Sequence, residues 1–326
     1  MSDLSDRIEQ IIEKENKNNP DIQYLNKSHT KLITQIISNY NLLKSNSDFP
    51  EAKMIFLGAP TGSGKDILVR KIMAEDKSQN YVILNMDIFR YYHNELAKTD
   101  EYISDRDFAQ KTNQTSYEIY YIIQKIILEE FPGTNIIVTG TIRDLNWVKD
   151  IINTFKNDKK TNYSISLVSL AVPVTESALS IFERYLNLVD SRDSSNSPIR
   201  YTGLTYHNDT VKEFISNIDF FDTNLKNNDG EKLIDSIKVY RRNIDILDDS
   251  ENNLIYDSNY DNNNNNRTAA ETLRKIMNSN PEINKDRLSK LLDIVNRNKD
   301  YLEKQELYDS IVNNLNSIMI KNYVQD

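Results

Sequence analysis

Met54-Ile55-Phe56-Leu57-Gly58-Ala59-Pro60-Thr61-Gly62-Ser63-Gly64-Lys65-Asp66 decides how the rest of the chain is read. An apolar run of strand length feeds a glycine-rich turn, and an amphipathic run (Ile67, Leu68, Val69, Ile72, Met73) follows. Strand, loop and helix in that order predict a phosphate cradle. The glycines let successive backbone N–H groups point inward, the helix N-terminus adds its positive dipole end, and Lys65 reaches the outer phosphates. Two positions depart from G-x-x-x-x-G-K-[ST]: Ala59 replaces the first glycine, and Asp66 replaces the hydroxyl residue that normally holds Mg²⁺. Glycine is otherwise rare, with seven in the chain and three of them here. An ordinary strand-to-helix turn would not need that concentration.

The composition narrows the class. The chain has 326 residues, 38% hydrophobic and 27% charged, as expected of a globular protein with one large domain and appendages, or with two domains. No apolar run approaches the ~20 residues that cross a bilayer. The N-terminus lacks a basic then apolar leader pattern, so the expected location is the cytoplasm. Without cysteine there is no thiolate metal site or cysteine nucleophile, and three scattered histidines (His29, His93, His207) make a structural zinc site improbable. A net charge of −9 argues against general nucleic-acid binding, leaving room only for local basic pockets.

Before the phosphate loop, residues 3–16 and 27–44 carry apolar residues at helical spacing, broken by the turn signal Asn19-Pro20. These helices either pack on the following domain or serve a partner-binding or self-inhibiting role. From residue 51 strands and helices alternate, which predicts an α/β fold with a parallel sheet covered on both faces. Strands are expected at 54–57, 81–84, 135–138, 164–172 and 237–240, with helices at about 106–130, 144–157 and 174–189. The Ser- and Asp-rich loop 190–203 has the character of a lid. The polar segment 249–266, with its run Asn262–Asn266, reads as a linker. Stripes at 268–277, 286–296 and 306–321 then predict a small C-terminal helical appendage. The expected organisation is an N-terminal helical segment (1–50), a catalytic domain (51–248), the linker (249–266) and the helical region (267–326).

The second strand ends just before Asp87, in Asn85-Met86-Asp87-Ile88-Phe89-Arg90. In an open α/β sheet, ligands bind outside the carboxyl ends of the strands, so a carboxylate there can face the phosphate loop and take a proton from an attacking hydroxyl. The competing reading is a helix N-cap, which aspartate favours. Thr139 and Thr141 flank Gly140 at the end of the third strand, as hydroxyls at the same sheet edge or as plain turn residues. Arg184, on a helix, and Arg200, in the lid, supply cationic donors of the kind phosphoryl transfer needs.

The ordered set Gly62-Ser63-Gly64-Lys65, Asp87-Ile88-Phe89-Arg90 with His93, Gly140-Thr141 with Arg143, Ala171-Val172-Pro173, Glu183-Arg184-Tyr185 and Arg200 resembles the zeta-toxin kinases over roughly residues 30–243. The resemblance implies a P-loop kinase-like sheet flanked by helices, using ATP and Mg²⁺. The implied reaction phosphorylates a hydroxyl of UDP-N-acetylglucosamine or a related nucleotide sugar and so inhibits growth, with a small helical antitoxin as partner. It further implies that residues Gly58 to Asp66 hold ATP, with Lys65 on the β- and γ-phosphates. Asp87 would be the base, Arg184 and Arg200 would stabilise the transferring group, and Asp66 would face the metal. Arg90, His93, Thr139, Thr141 and Arg143 would fall in the substrate region. Thr139 stands where the family usually has a glutamate on the sugar nucleotide, which changes what the pocket can satisfy. The alternative is a catalytically degenerate module of the same fold that binds nucleotide or a partner without turnover, favoured by Asp66 and Ala59. An enzyme of nucleic-acid ends is disfavoured by the acidic charge.

Overall fold

The computed structural model describes residues 2–40, 42, 50–76, 81–192, 198–224, 233–242, 254–261, 268–279 and 285–323. Its strands are β1 (Glu51–Gly58), β2 (Tyr81–Asn85), β3 (Asn135–Gly140), β4 (Asn162–Ala171), β5 (Ser236–Arg241) and β6 (Leu254–Asp257). They form one sheet in the order β2-β3-β1-β4-β5-β6. The first five are parallel and β6 pairs antiparallel with β5. The helices, in chain order, are α1 (Ser2–Asn18), α2 (Thr30–Ser38), α3 (Lys65–Glu75), α4 (Met86–Phe89), α5 (His93–Ala97), α6 (Phe108–Lys111), α7 (Asn113–Glu130) and α8 (Leu145–Lys156). They continue with α9 (Val174–Asp190), α10 (Leu204–Thr223), α11 (Ser258–Asp261), α12 (Ala269–Met277), α13 (Lys285–Arg297), α14 (Lys299–Lys304) and α15 (Tyr308–Tyr323).

Alternation along the strands divides the core between two faces. Met54, Phe56, Ile136, Val138, Ile165 and Leu167 join one cluster with α1, α2, α7, α8, α10 and α12. Leu57, Ile137, Val168 and Leu170 point the other way, under Leu68, Val69 and Ile72 of α3. Both faces are covered, so the strands read as nearly continuous apolar runs. A third cluster joins α9 (Leu179, Phe182, Leu186) to α13 and α15 (Leu288, Leu291, Leu315). No helix among the described residues is long and apolar enough to cross a membrane.

Several elements differ from expectation. The second N-terminal helix ends at Ser38, short of the expected 44: Asn39 and Tyr40 form a turn and Leu42 is not helical, while 41 and 43–44 lie outside the described residues. The 20-residue α10 was not expected. The segment read as a linker contains β6, whose Tyr256 is buried and packs in the main core, while 249–253 and 262–266 lie outside the described residues, as does 193–197 of the expected lid. A short apolar run ending in a buried aspartate, Asp257, is enough to add an edge strand where β5 offers unpaired backbone.

The N-terminal segment is fastened to the sheet layer. Glu118 of α7 is fully buried, and its carboxylate accepts the backbone N–H groups of Gln23, Tyr24 and Leu25 at 2.7, 3.0 and 2.8 Å. With Gln114 Nε2 donating as well at 2.9 Å, four donors on one carboxylate replace the water it loses.

Candidate functional site

β1 lies between β3 and β4, with β2 reached on one side and β5 on the other, so the loop after β1 opens at the point where the strand order reverses. A cleft of about 1420 Å³ lies there, lined by Thr61 to Ile67, by the ends of β2 and β3, by α9 and by Arg200.

The loop is held from behind. Ala59 is fully buried and donates its N–H to Gly140 O at 3.3 Å. Positive φ outside glycine occurs only at Lys98, Ile142 and Glu306 among the described residues, so alanine is accommodated at 59. Ser63, also buried, donates its hydroxyl to Pro60 O at 2.6 Å. Gly62 (φ 80) and Gly64 (φ 86) take the left-handed conformation that glycine alone adopts cheaply. A Cβ on Gly62 would also lie 2.2 Å from Ser177 O. Lys65 Nζ donates to Ala59 O and Pro60 O at 2.9 and 3.3 Å, so the ammonium sits over the loop. Burial pulls its pKa down to about 8; Asp87 and Asp66 oppose this, while Arg200 and Arg184 reinforce it.

Asp87 is not the N-cap of its helix. Asn85 takes that role, its side chain accepting the Asp87 N–H at 2.9 Å. The Asp87 carboxylate instead accepts Arg90 Nε at 3.1 Å and pairs with Arg200 Nη1. Burial would raise this carboxyl, but Arg200 and Arg90 outweigh it and hold the pKa near 2, so Asp87 is ionised. Arg90 is anchored by Ala109 O (2.6 Å), Thr112 Oγ1 (3.4 Å) and Asn113 Oδ1 (3.3 Å), which fixes its Nε toward Asp87. Arg200 is mostly buried, and its Nε has no hydrogen-bond partner among the described residues. A guanidinium donor left without a partner beside this loop is available to an anionic group.

Thr139, Thr141 and Arg143 line the cleft opposite. Thr139 sits at the end of β3 in register with Leu57 and Asn85. Arg143 donates Nε to Glu213 at 2.6 Å and stacks 4.4 Å over the Tyr206 ring. The turn between them is strained: Ile142, β-branched and fully buried, has φ 51. Asn217 of α10 donates to the carbonyls of Ile142 and Arg143, both at 2.8 Å. Arg184 and Asp66 line the cleft as well. Gly58, Ala59 and Pro60 do not; they back the loop. His93 does not line it either: its Nδ1 is 2.7 Å from Thr115 Oγ1 and its ring meets Tyr24 edge-on.

Arg242, just beyond β5, was missed from sequence. It donates Nη1 to Gly62 O (3.2 Å) and Ser180 Oγ (3.3 Å), placing a further cation against the loop. Its only sequence signal was its position one residue past a strand end. Asp21 also reaches the cleft from the N-terminal segment, again with no signal in the pattern.

A sequence model of the family described as "Zeta toxin" matches residues 40–261. No curated protein matches the chain. Among solved structures the chain is similar to one from the PezAT chromosomal toxin-antitoxin system of Streptococcus pneumoniae. Identity there is 21%, over 85% of this chain and 98% of that one, with a TM-score of 0.61, which is a likeness of fold. Weaker likenesses are to the native AvrRxo1-ORF1:-ORF2 complex (15% identity, 82% and 78% covered, TM-score 0.47) and to that complex with ATP (13%, 82% and 79%, TM-score 0.44).

Proposed function

Because this chain belongs to the zeta-toxin family, we propose that it is an ATP-dependent kinase that transfers the γ-phosphate to a hydroxyl of a small molecule, a nucleotide sugar such as UDP-N-acetylglucosamine or a relative, and so acts as a growth-inhibiting toxin. The observation that carries this reading is the convergence of Lys65, Arg184, Arg200 and an ionised Asp87 on one cleft. A second support is size: about 1420 Å³ exceeds the roughly 300–1,000 Å³ that one small ligand occupies, and suits a nucleotide beside a second substrate.

In this reading Lys65 leaves the Ala59 and Pro60 carbonyls for the β- and γ-phosphates of ATP. Arg200 exchanges Asp87 for the γ-phosphate, bringing its unsatisfied Nε into use. That exchange releases the base: with Arg200 withdrawn, the carboxyl loses the strongest of the charges that depress its pKa and becomes a better proton acceptor. Asp87 then takes the acceptor's hydroxyl proton as its oxygen bonds to the γ-phosphorus and the bond to the ADP oxygen breaks, while Arg184 and Arg200 meet the charge on the transferring group. Asp66, a hard oxygen donor on the first turn of α3 and open to the cleft, is the side chain that would hold Mg²⁺, which when bound would neutralise charge between the β- and γ-phosphates. Thr139, Thr141 and Arg143 form the acceptor wall, and a small helical antitoxin is the proposed partner.

The test is purified protein with ATP, Mg²⁺ and a panel of UDP-sugars and dinucleotides, read by mass. One acceptor is expected to gain about 80 Da, the mass of a transferred phosphoryl group. Tight ATP binding with no gain on any acceptor would replace this reading with a nucleotide-binding module, to which Asp66 in the hydroxyl position points. Asp87→Ala is expected to relieve growth arrest on expression and to lower turnover by about 10²–10⁴-fold. Equal toxicity of variant and parent would remove Asp87 from the role of base.

A further inference from the structure

Asp105 lies outside the cleft and has no part in the chemistry above, yet its whole polar surface is engaged. It is fully buried. Oδ1 accepts the Ile199 N–H at 2.6 Å, and Oδ2 accepts the hydroxyls of Tyr185 at 2.9 Å and Tyr301 at 2.5 Å. Its backbone O accepts the Tyr201 N–H at 3.4 Å, and its N–H donates to Gln305 Oε1 at 3.0 Å. Residues 199 and 201, on either side of Arg200, are thus both held by residue 105. Two of the other partners, Tyr301 and Gln305, come from α14 and the residue after it. The Tyr301 hydroxyl also accepts from Arg192, whose guanidinium stacks 4.5 Å from the Tyr301 ring. Burying a carboxylate is unfavourable until its partners compensate it, whereas an apolar side chain would hold helices together without that penalty. What the carboxylate adds is direction: it fixes the Ile199 amide while the backbone carbonyl of Asp105 takes the Tyr201 amide, on the two sides of an arginine that reaches Asp87 across the cleft.

We propose that Asp105 is a positioning residue for phosphoryl transfer, through which the C-terminal helices, by way of Tyr301, hold the backbone on both sides of Arg200 and set where its guanidinium meets the transferring group. This rests on the kinase reading above. Tyr301→Phe tests it gently, since the ring stays and Asp105 keeps Tyr185 and Ile199. In the full chain, amide exchange at Ile199 and Tyr201 is expected to quicken several-fold. ADP formation from ATP is expected to slow roughly tenfold to a hundredfold, with the KM for ATP unchanged. Adding Tyr301→Phe to Arg200→Ala is expected to cost nothing more, because the guanidinium it positions is already gone. Unchanged exchange at 199 and 201, or additive losses in the double variant, would overturn the proposal and leave Asp105 a residue of the fold alone. A parent chain that turns over no ATP would remove the phosphoryl-transfer part together with the kinase reading, while the exchange measurement would still decide whether Tyr301 holds this segment.

Discussion

Lys65 has the chemistry most altered by its surroundings. Burial lowers its pKa to about 8, against the opposing pull of Asp87 and Asp66. Bound phosphates bring negative charge to the ammonium and raise that pKa again, so above about 8 the nucleotide binds with uptake of a proton. ATP affinity is therefore expected to be flat below that pH and to fall by up to tenfold per unit above it, with proton uptake visible as buffer-dependent heats in titration calorimetry. The glycines before the lysine separate two effects. Gly64→Ala makes only ordinary van der Waals contact, its nearest neighbour 3.8 Å away, and carries only the cost of a left-handed alanine, about 1–2 kcal/mol. Gly62→Ala adds a 2.2 Å approach to a backbone carbonyl of α9, which cannot swing aside as a side chain would. Urea denaturation is expected to show Gly62→Ala as the costlier by a further 1–3 kcal/mol or so. Equal losses would mean that the start of α9 yields.

At the scale of elements, α10 acts as a brace for the side of the cleft proposed to take the acceptor. A β-branched residue at φ 51 costs about 1–3 kcal/mol and persists only where its surroundings insist on it. Two things insist at Ile142: its side chain fills the space a Cβ on Gly58 would take, and Asn217 donates to two successive carbonyls. Asn217→Ala leaves both carbonyls short of a donor and is expected to cost roughly 1–3 kcal/mol in chemical denaturation. An unchanged midpoint would assign the turn to packing alone. The same helix explains where sequence reasoning stopped. The strands β1 to β5 were legible as buried apolar runs, and the phosphate loop, Asp87, Arg184 and Arg200 followed from them. Helix α10 was not, because its first two turns (Leu204-Thr205-Tyr206-His207-Asn208-Asp209) are rich in residues that compete with the backbone for hydrogen bonds, and its apolar stripe begins only at Val211. Asn217, Asp105 and Arg242 are lone polar residues with no periodic signal, and their roles arise from partners up to 200 positions away along the chain. His93 failed in the opposite sense: it sits among site residues in sequence, but the turn of α5 carries it to Thr115.

Across the whole molecule α9 is the shared wall. One end backs the phosphate loop through Ser177 and Ser180, its middle carries Arg184, and its apolar face is covered by α13 and α15. Arg287 of α13 adds a charged clasp, pairing with Glu176 and Glu183 of α9 at 2.6 Å each and reaching Ser180 at 3.3 Å. Ser180 in turn bonds Arg242, which bonds Gly62, so the C-terminal helices are two side chains from the phosphate cradle. Ending the chain after Ser279 would uncover Leu179, Phe182, Leu186 and Val189, which are between 0% and 4% exposed. At about 1.5–3 kcal/mol for each, the loss is roughly 6–12 kcal/mol, the size of a whole domain's stability. The truncated chain is therefore expected to be insoluble or to lack a cooperative thermal transition, and the full chain to unfold in one transition that ATP shifts upward. A soluble truncated chain with unchanged ATP affinity would show that α9 stands without its cover. In that case the C-terminal helices would be an appendage of the kind the chain's composition suggests, and not a wall of the site.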